Sequence, residues 1–140
     1  MANGFNPIGI WQPKGRGFNM GVVQPEGQII HFTGQVAWDE DENIVGKGNV
    51  EVQTRQCFCN ILTILGAVGG TIEDIVSVTT YYTNPSQLSM IQRVRNEFFK
   101  DETAPASTSV MVAGLGHEDF LVELTPVAVI PYNRYVACNE

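Results

Sequence analysis

The chain has 140 residues, of which 44% are hydrophobic and 16% charged, with a formal net charge of −7. That length suits one domain around a single core, and that balance excludes a disordered chain. Only 8 Lys and Arg residues are present, none in a run, which argues against a surface that tracks phosphates, so no nucleic-acid partner is expected.

Residues 1 to about 20 are rich in Gly, Pro and Asn and read as an irregular lead-in. Their start, Met1-Ala2-Asn3-Gly4-Phe5-Asn6, lacks the basic region and apolar block of a secretory signal. No apolar stretch approaches the ~20 residues that span a bilayer. A soluble cytoplasmic protein without a membrane partner is the expectation. Residues 21–23 read as a short strand, Pro25-Glu26-Gly27 as a turn and residues 28–36 as a second strand, together a first hairpin. The acidic turn Asp39-Glu40-Asp41-Glu42-Asn43 lacks the glycine and distal glutamate of a calcium loop and reads as solvated.

Asn49 is placed to cap a helix over residues 50–68, with Val50, Cys57, Ile61, Ile64, Leu65 and Val68 on one apolar face and Gly69-Gly70 ending it. Residues 71–74 form a turn, and the β-branched and aromatic run 75–83 a strand. Asn84-Pro85-Ser86 opens a second helix that ends near Lys100, its apolar stripe formed by Leu88, Ile91, Val94, Phe98 and Phe99. Arg93 and Arg95 fall on this helix and are expected to be solvated. Residues 107–113 and 121–130 are the last two strands, joined by a polar loop, and residues 132–140 form a tail. Pro126 has no amide to donate, which predicts an edge or a bulge.

The order is β-β-α-β-α-β-β in one domain, residues 1–140. Two helices on one face of a mixed sheet of four to six strands make an α/β fold of the two-layer α+β sandwich type. Two helices cannot cover both faces. The spare face, assigned Ile29, Val78, Val110, Val112 and residues of the last strand, predicts oligomerisation. The odd cysteine count (Cys57, Cys59, Cys138) predicts free thiols, and the first two, at i and i+2 on a helix, diverge, which argues against a metal site. Gly15-Arg16-Gly17 and Gly66-Ala67-Val68-Gly69-Gly70 lack the strand–loop–helix context of a phosphate loop.

Several segments in order carry a resemblance. These are Gly17-Phe18-Asn19-Met20-Gly21, His31-Phe32-Thr33-Gly34-Gln35-Val36, the run from Ile72 to Tyr82, Asn96-Glu97-Phe98-Phe99, Pro105-Ala106-Ser107-Thr108-Ser109-Val110 and Val122-Glu123-Leu124. At near-constant spacing over about residues 15–131 they resemble the Rid family, the reactive-intermediate deaminases. The resemblance implies a chorismate-mutase-like fold, a homotrimer whose three sheets enclose a barrel, and a small-molecule ligand in clefts between subunits. It implies hydrolysis of enamines or imines to a 2-oxo acid and ammonia, without metal or organic cofactor. By position, Glu123 matches the glutamate that contacts the water, and Gly34 the glycine whose backbone meets the ligand. Ser107 stands where the family has a carboxylate-gripping arginine, Ser109 for its cysteine, Thr33 for its serine and Phe18 for its tyrosine.

Arg offers a fixed fork and a permanent charge, whereas Ser offers one hydroxyl. The exchange predicts a neutral or larger ligand than a small 2-imino acid, or a cation borrowed from elsewhere. Strand alternation alone puts Glu123 at a solvent face, and the resemblance puts it in a cleft. Ser107 and Ser109 share a strand face, but no histidine is placed to activate either, since His31 lies on another strand and His117 in a loop. Two classes of function follow: a cofactor-free deaminase of altered specificity, or a non-catalytic binding or regulatory trimer that takes a small metabolite or a protein partner.

Overall fold

The structure, a computed structural model, describes residues 1–139. Helix α1 spans Val50–Ala67, and the Asn49 side chain accepts a hydrogen bond from the Val52 amide at its start. Gly69, at φ +78°, takes the left-handed conformation that stops it, and the Gly70 amide returns to the Leu65 carbonyl at 2.8 Å. Helix α2, Leu88–Phe98, follows a 3-10 turn at Pro85–Gln87 in which the Asn84 side chain accepts from the Ser86 amide. The helices pack through stacked Phe58 and Phe98 rings, 4.3 Å apart, and through surface ion pairs in which Arg55 donates to Glu97 and Arg93 to Glu51.

Beneath them lies a four-stranded sheet of β3 (Gln28–His31), β4 (Ile75–Tyr82), β5 (Ala106–Met111) and β6 (Val122–Ile130), in the order β3-β6-β4-β5. Only β4 and β5 run parallel, as expected when a helix crosses between two strands. Ile75, Val78, Val122, Leu124 and Ala128 point into the helical layer, where they meet Cys57, Phe58, Ile61, Ile91 and Val94. A separate ribbon of β1 (Asn3–Phe5) and β2 (Gly21–Val23) lies by the other face, where Ala2 and Val22 pack on Val76 and Val129.

The α+β sandwich with both helices on one side forms as the sequence predicts, and three local expectations change. The lead-in contains a strand, β1, and β2 pairs with it rather than with β3, so the first hairpin does not form. β3 ends at His31 because Phe32 turns into the core. Val78 is covered by the helices rather than by a subunit partner. Pro126 does fall at a bulge-like irregularity, one of the two expected settings: pairing on the β3 side stops at His31–Val127 and resumes one residue out of register at Gln35–Leu124, so the missing amide lies in the gap.

One charged knot fastens the ends to the sheet. The Asp74 carboxylate, fully buried, accepts from Arg134 Nη1 at 3.0 Å and Nη2 at 2.7 Å, from the Thr71 amide at 2.8 Å and from the Met1 amino group at 3.2 Å. Burial pushes this carboxyl up, but Arg134, the Thr71 amide and the amino group together outweigh it and hold it below the usual value. Its contribution is therefore present above about pH 4, the unfolded value, and is lost as pH falls through the lower folded value. Arg134→Met is expected to destabilise the fold by roughly 3 kcal/mol at pH 7, since it leaves a buried charge under-compensated. Urea unfolding of wild type and variant at neutral pH and at about pH 3 checks this, the difference shrinking on acidification.

Candidate functional site

A lone buried cation marks the site. Arg95 belongs to α2, and at four residues beyond Ile91 it falls on the buried side of the helix, only 1% exposed. This corrects the expectation that it is solvated; Arg93, two residues earlier, does face solvent and pairs with Glu51. Arg95 has no carboxylate partner among the described residues. Its Nη1 donates to Ser107 Oγ at 3.0 Å, its Nε has no partner, and its guanidinium carbon lies 5.6 Å from the centre of the Phe18 ring. Burial pushes its pKa down to about 10.

The segment that covers Arg95 is held by its own polar contacts. Asn19 is buried, and its Nδ2 donates to the carbonyls of Asp101 and Ala104 while its amide donates to Pro105. These bonds lay residues 18–20 along the start of β5, with Asn19 bridged to Ala106. Gly17, at φ +70°, passes so close to α2 that a Cβ there would be 2.5 Å from Asn96 Oδ1, and Asn96 in turn donates to the Gly15 carbonyl. Phe18 is thereby pressed over Arg95. Trp11 stacks on Phe18 at 6.0 Å, and Arg16 lies 5.0 Å from the Trp11 ring, so two stacked aromatic rings are flanked by two cations.

Against this wall opens a pocket of about 380 Å³, lined by Trp11, Phe18, Met20, Thr79, Ser107 and Thr108 among others, with no acidic side chain. Ser107 and Phe18 thus meet at one cavity as substrate-binding candidates. The other candidates lie elsewhere. Glu123 packs against Gly34, where a Cβ would come within 2.8 Å of Glu123 Oε2. That pair is fixed by reciprocal backbone bonds between Gln35 and Leu124, with exposed Thr33 just before it. Ser109 is exposed toward the free end of β5.

Within one chain these groups do not converge. Val78 of β4 pairs with Ser107 and Tyr81 with Glu123, so β4 separates the two. Strand spacing and rise put them roughly 10 Å apart across the sheet and roughly 10 Å along it. They also lie on opposite faces: Ser107 meets the helical layer through Arg95, and Glu123 follows the buried Val122 and precedes Leu124, both turned to that layer.

The remaining candidates are occupied. Burial and then the Glu123 charge push the Cys57 thiol up to about 12, so it is no nucleophile at neutral pH. Cys59 and Cys138 are exposed and free. Asp39 accepts from the Asn43 and Asp41 amides, which hold its carboxyl low and account for the acidic turn. His31 is exposed, and His117 Nδ1 accepts from the Asp119 amide in its loop. No group of His, Cys, Asp and Glu that could hold a metal occurs among the described residues, nor is any described helix long and apolar enough to cross a membrane. Sequence reasoning missed Trp11, Met20, Thr79 and Arg95. For Arg95 the signal was available in its helical spacing from Ile91.

Comparison with known proteins bears on this arrangement. The family model described as endoribonuclease L-PSP matches residues 14–130. A RutC family protein of Synechocystis is 36% identical over 104 residues, covering 74% of this chain and 79% of the relative. The RutC family protein YjgH of Escherichia coli is 35% identical over 106 residues, covering 75% of this chain and 78% of its own. Among solved structures, the Rid family protein YyfB of Yersinia pestis, described as of unknown function, superposes with a TM-score of 0.86 at 28% identity, covering 92% of this chain and 98% of that one.

Two outcomes test the geometry. Gly34→Ala is expected to displace the Glu123 carboxylate in a crystal structure of the variant while changing stability by less than about 1 kcal/mol, because the clash is with the flexible end of a side chain. Arg95→Met is expected to melt no lower than wild type, because replacing an uncompensated buried charge by an apolar side chain of similar length relieves desolvation. Calorimetry checks the second.

Proposed function

The chain belongs to the endoribonuclease L-PSP family, which takes in Rid, RutC and YjgF proteins, and on that premise we propose that it is a cofactor-independent enamine/imine deaminase with a specificity altered at residue 107. The observation that carries this is Glu123, a half-buried carboxylate wedged against the Gly34 backbone, with no basic partner among the described residues. Such a group is free to move protons. Water adds to the imine carbon, forming a C–O bond, while the C=N π pair goes to nitrogen; Glu123 takes a proton from the water and passes it to that nitrogen. The carbinolamine then collapses: its hydroxyl proton passes through Glu123 to the amine nitrogen, the C–N bond breaks with its electron pair going to nitrogen, and a carbonyl compound and ammonia are released.

The separation of Ser107 from Glu123 within one chain supports a site built between copies, with Ser107, Phe18 and Ser109 from one subunit and Glu123, Thr33 and Gly34 from its neighbour. A homotrimer that pairs the uncovered sheet faces is the assembly we propose. The exposed Val110 and Met111 at the free edge of β5 favour the same conclusion. A small-molecule ligand suits the chain better than RNA, given the net charge of −7. A second reading, a non-catalytic metabolite-binding trimer, is favoured by one fact: the Ser107 pocket is formed without Glu123.

Ammonia release from imines generated in situ by amino-acid oxidases separates the two. The deaminase reading expects turnover of some imines and a loss of about 100-fold or more in Glu123→Gln. Turnover unaffected by Glu123→Gln, or none across the panel, would sink it and leave the binding reading.

A further inference from the structure

Away from β5, a second groove of about 530 Å³ lies between α1 and the segment that follows β3. Gln35 bridges to Leu124, whose side chain is in the helical layer, so Gln35 also faces that layer. The groove therefore lies on the helical side, clear of the uncovered sheet face through which the proposed trimer would pair. The deaminase reading gives it no role.

The carboxylates of Asp39 and Glu40 at its rim would by themselves be only a solvated turn, and the groove adds what such a turn lacks. Trp38 forms one wall. Phe120 holds its ring edge-to-face at 5.2 Å, yet 42% of the residue stays exposed. No Lys or Arg lines the groove, and an open indole beside carboxylates favours a cation. Hydrogen bonding then narrows the kind of cation. Asn60 Nδ2 donates to the Val36 and Trp38 carbonyls at 3.1 and 3.0 Å, and Gln56 Nε2 donates to Asn60 Oδ1 at 2.9 Å. Gln35 Nε2 donates to the Thr33 carbonyl and the Thr63 hydroxyl to the Cys59 carbonyl. Backbone carbonyls only accept, so Asn60 and Gln35 cannot be turned the other way, and Asn60 fixes Gln56. The donors of the lining are spent inward, leaving only the Trp38 indole N–H and the second hydrogen of Gln35. Facing them are the amide oxygens of Gln35 and Gln56 and two carboxylates, and the Asn43 and Asp41 amides keep Asp39 ionised.

We propose that this groove binds a small aliphatic primary ammonium ion, whose N–H groups donate to Glu40 and to the Gln35 and Gln56 oxygens while its methylenes lie on Trp38. A quaternary ammonium has the charge but no N–H to give, and an alcohol has donors but no charge. A bare metal ion gains nothing from the indole, and no group of His, Cys, Asp and Glu that could hold one occurs among the described residues. The inference uses no residue of the deaminase reading and stands whether or not imines are turned over.

The test is a nuclear magnetic resonance titration of the nitrogen-15-labelled full chain at neutral pH and matched ionic strength. The probes are n-butylamine, butane-1,4-diamine, tetramethylammonium and butane-1,4-diol. Both amines are expected to shift the Trp38 indole N–H resonance saturably and to leave that of Trp11 in place. They are expected to bind about fivefold or more tightly than tetramethylammonium or the diol. Glu40→Gln and Trp38→Leu are each expected to weaken amine binding by about fivefold or more. No saturable shift, or affinity for the diol or tetramethylammonium equal to that for the amines, overturns the proposal. So does amine binding that survives Glu40→Gln, which would be the diffuse attraction of a chain of net charge −7. Trp38→Leu gives up the Phe120 contact; should it fail to fold, Glu40→Gln, at an exposed position, decides.

Discussion

Two helices can cover only one face of a four-stranded sheet, and most of this molecule follows from that limit. Alternation along each strand then assigns every side chain to a covered or an uncovered side. On the covered side Val78, Val122, Leu124 and Ala128 complete the core with α1 and α2. On the uncovered side the ribbon of β1 and β2 packs at Val76 and Val129, with Val127 beside them. Thr79, Thr125 and Thr108 share register rows across β6, β4 and β5, and Glu123 lies on the same side. An uncovered face carrying hydroxyls and a carboxylate at its middle, with apolar Val110 near its edge, is a surface that can meet another subunit and still hold a polar ligand.

The same limit explains why residues that look adjacent in a motif do opposite things. Ser107 and Glu123 come from the two strands that flank β4, and their positions along those strands send one to the helical layer and the other away from it. Proximity in sequence, sixteen residues, says nothing about this; the intervening strand and the parity of each position decide it. A site that uses both must draw them from different copies, so assembly and chemistry are a single question here.

Much of the fold was legible because periodicity and capping are local. Asn49, the apolar face of α1 and the glycines after it specify a helix without reference to anything distant, and the β-branched run of β4 does the same for a strand. Pairing was not legible, because β3 finds its partner almost a hundred residues away in β6, and nothing in the 21–31 segment distinguishes that from a local hairpin. β1 was hidden by its composition: Asn3-Gly4-Phe5 has no β-branched residue and becomes a strand only because β2 is there to pair with it. Of the candidate residues, Ser107 and Phe18, named through resemblance, line one cavity. Arg95 was misjudged because charge was weighed above position: Ile91 and Val94 already marked the buried side of α2, and Arg95 completes it.

Among the described residues two strong charges are buried, and the contrast between them is instructive. Asp74 is surrounded by Arg134, an amide and the amino terminus, so its burial is compensated by groups that at the same time tether both ends of the chain. Every partner is present, and the knot needs nothing more. Arg95 has one hydroxyl, one aromatic face and an Nε with no partner. A core optimised for stability alone would put methionine or leucine there. The neighbours of Arg95 do not neutralise it but enclose it: Phe18 presses on it, Asn19 anchors Phe18, and Gly17 lets the loop approach α2 closely enough to close the cage. A left-handed glycine and a buried asparagine thus hold a cation in place against Ser107, one of the residues that line the pocket.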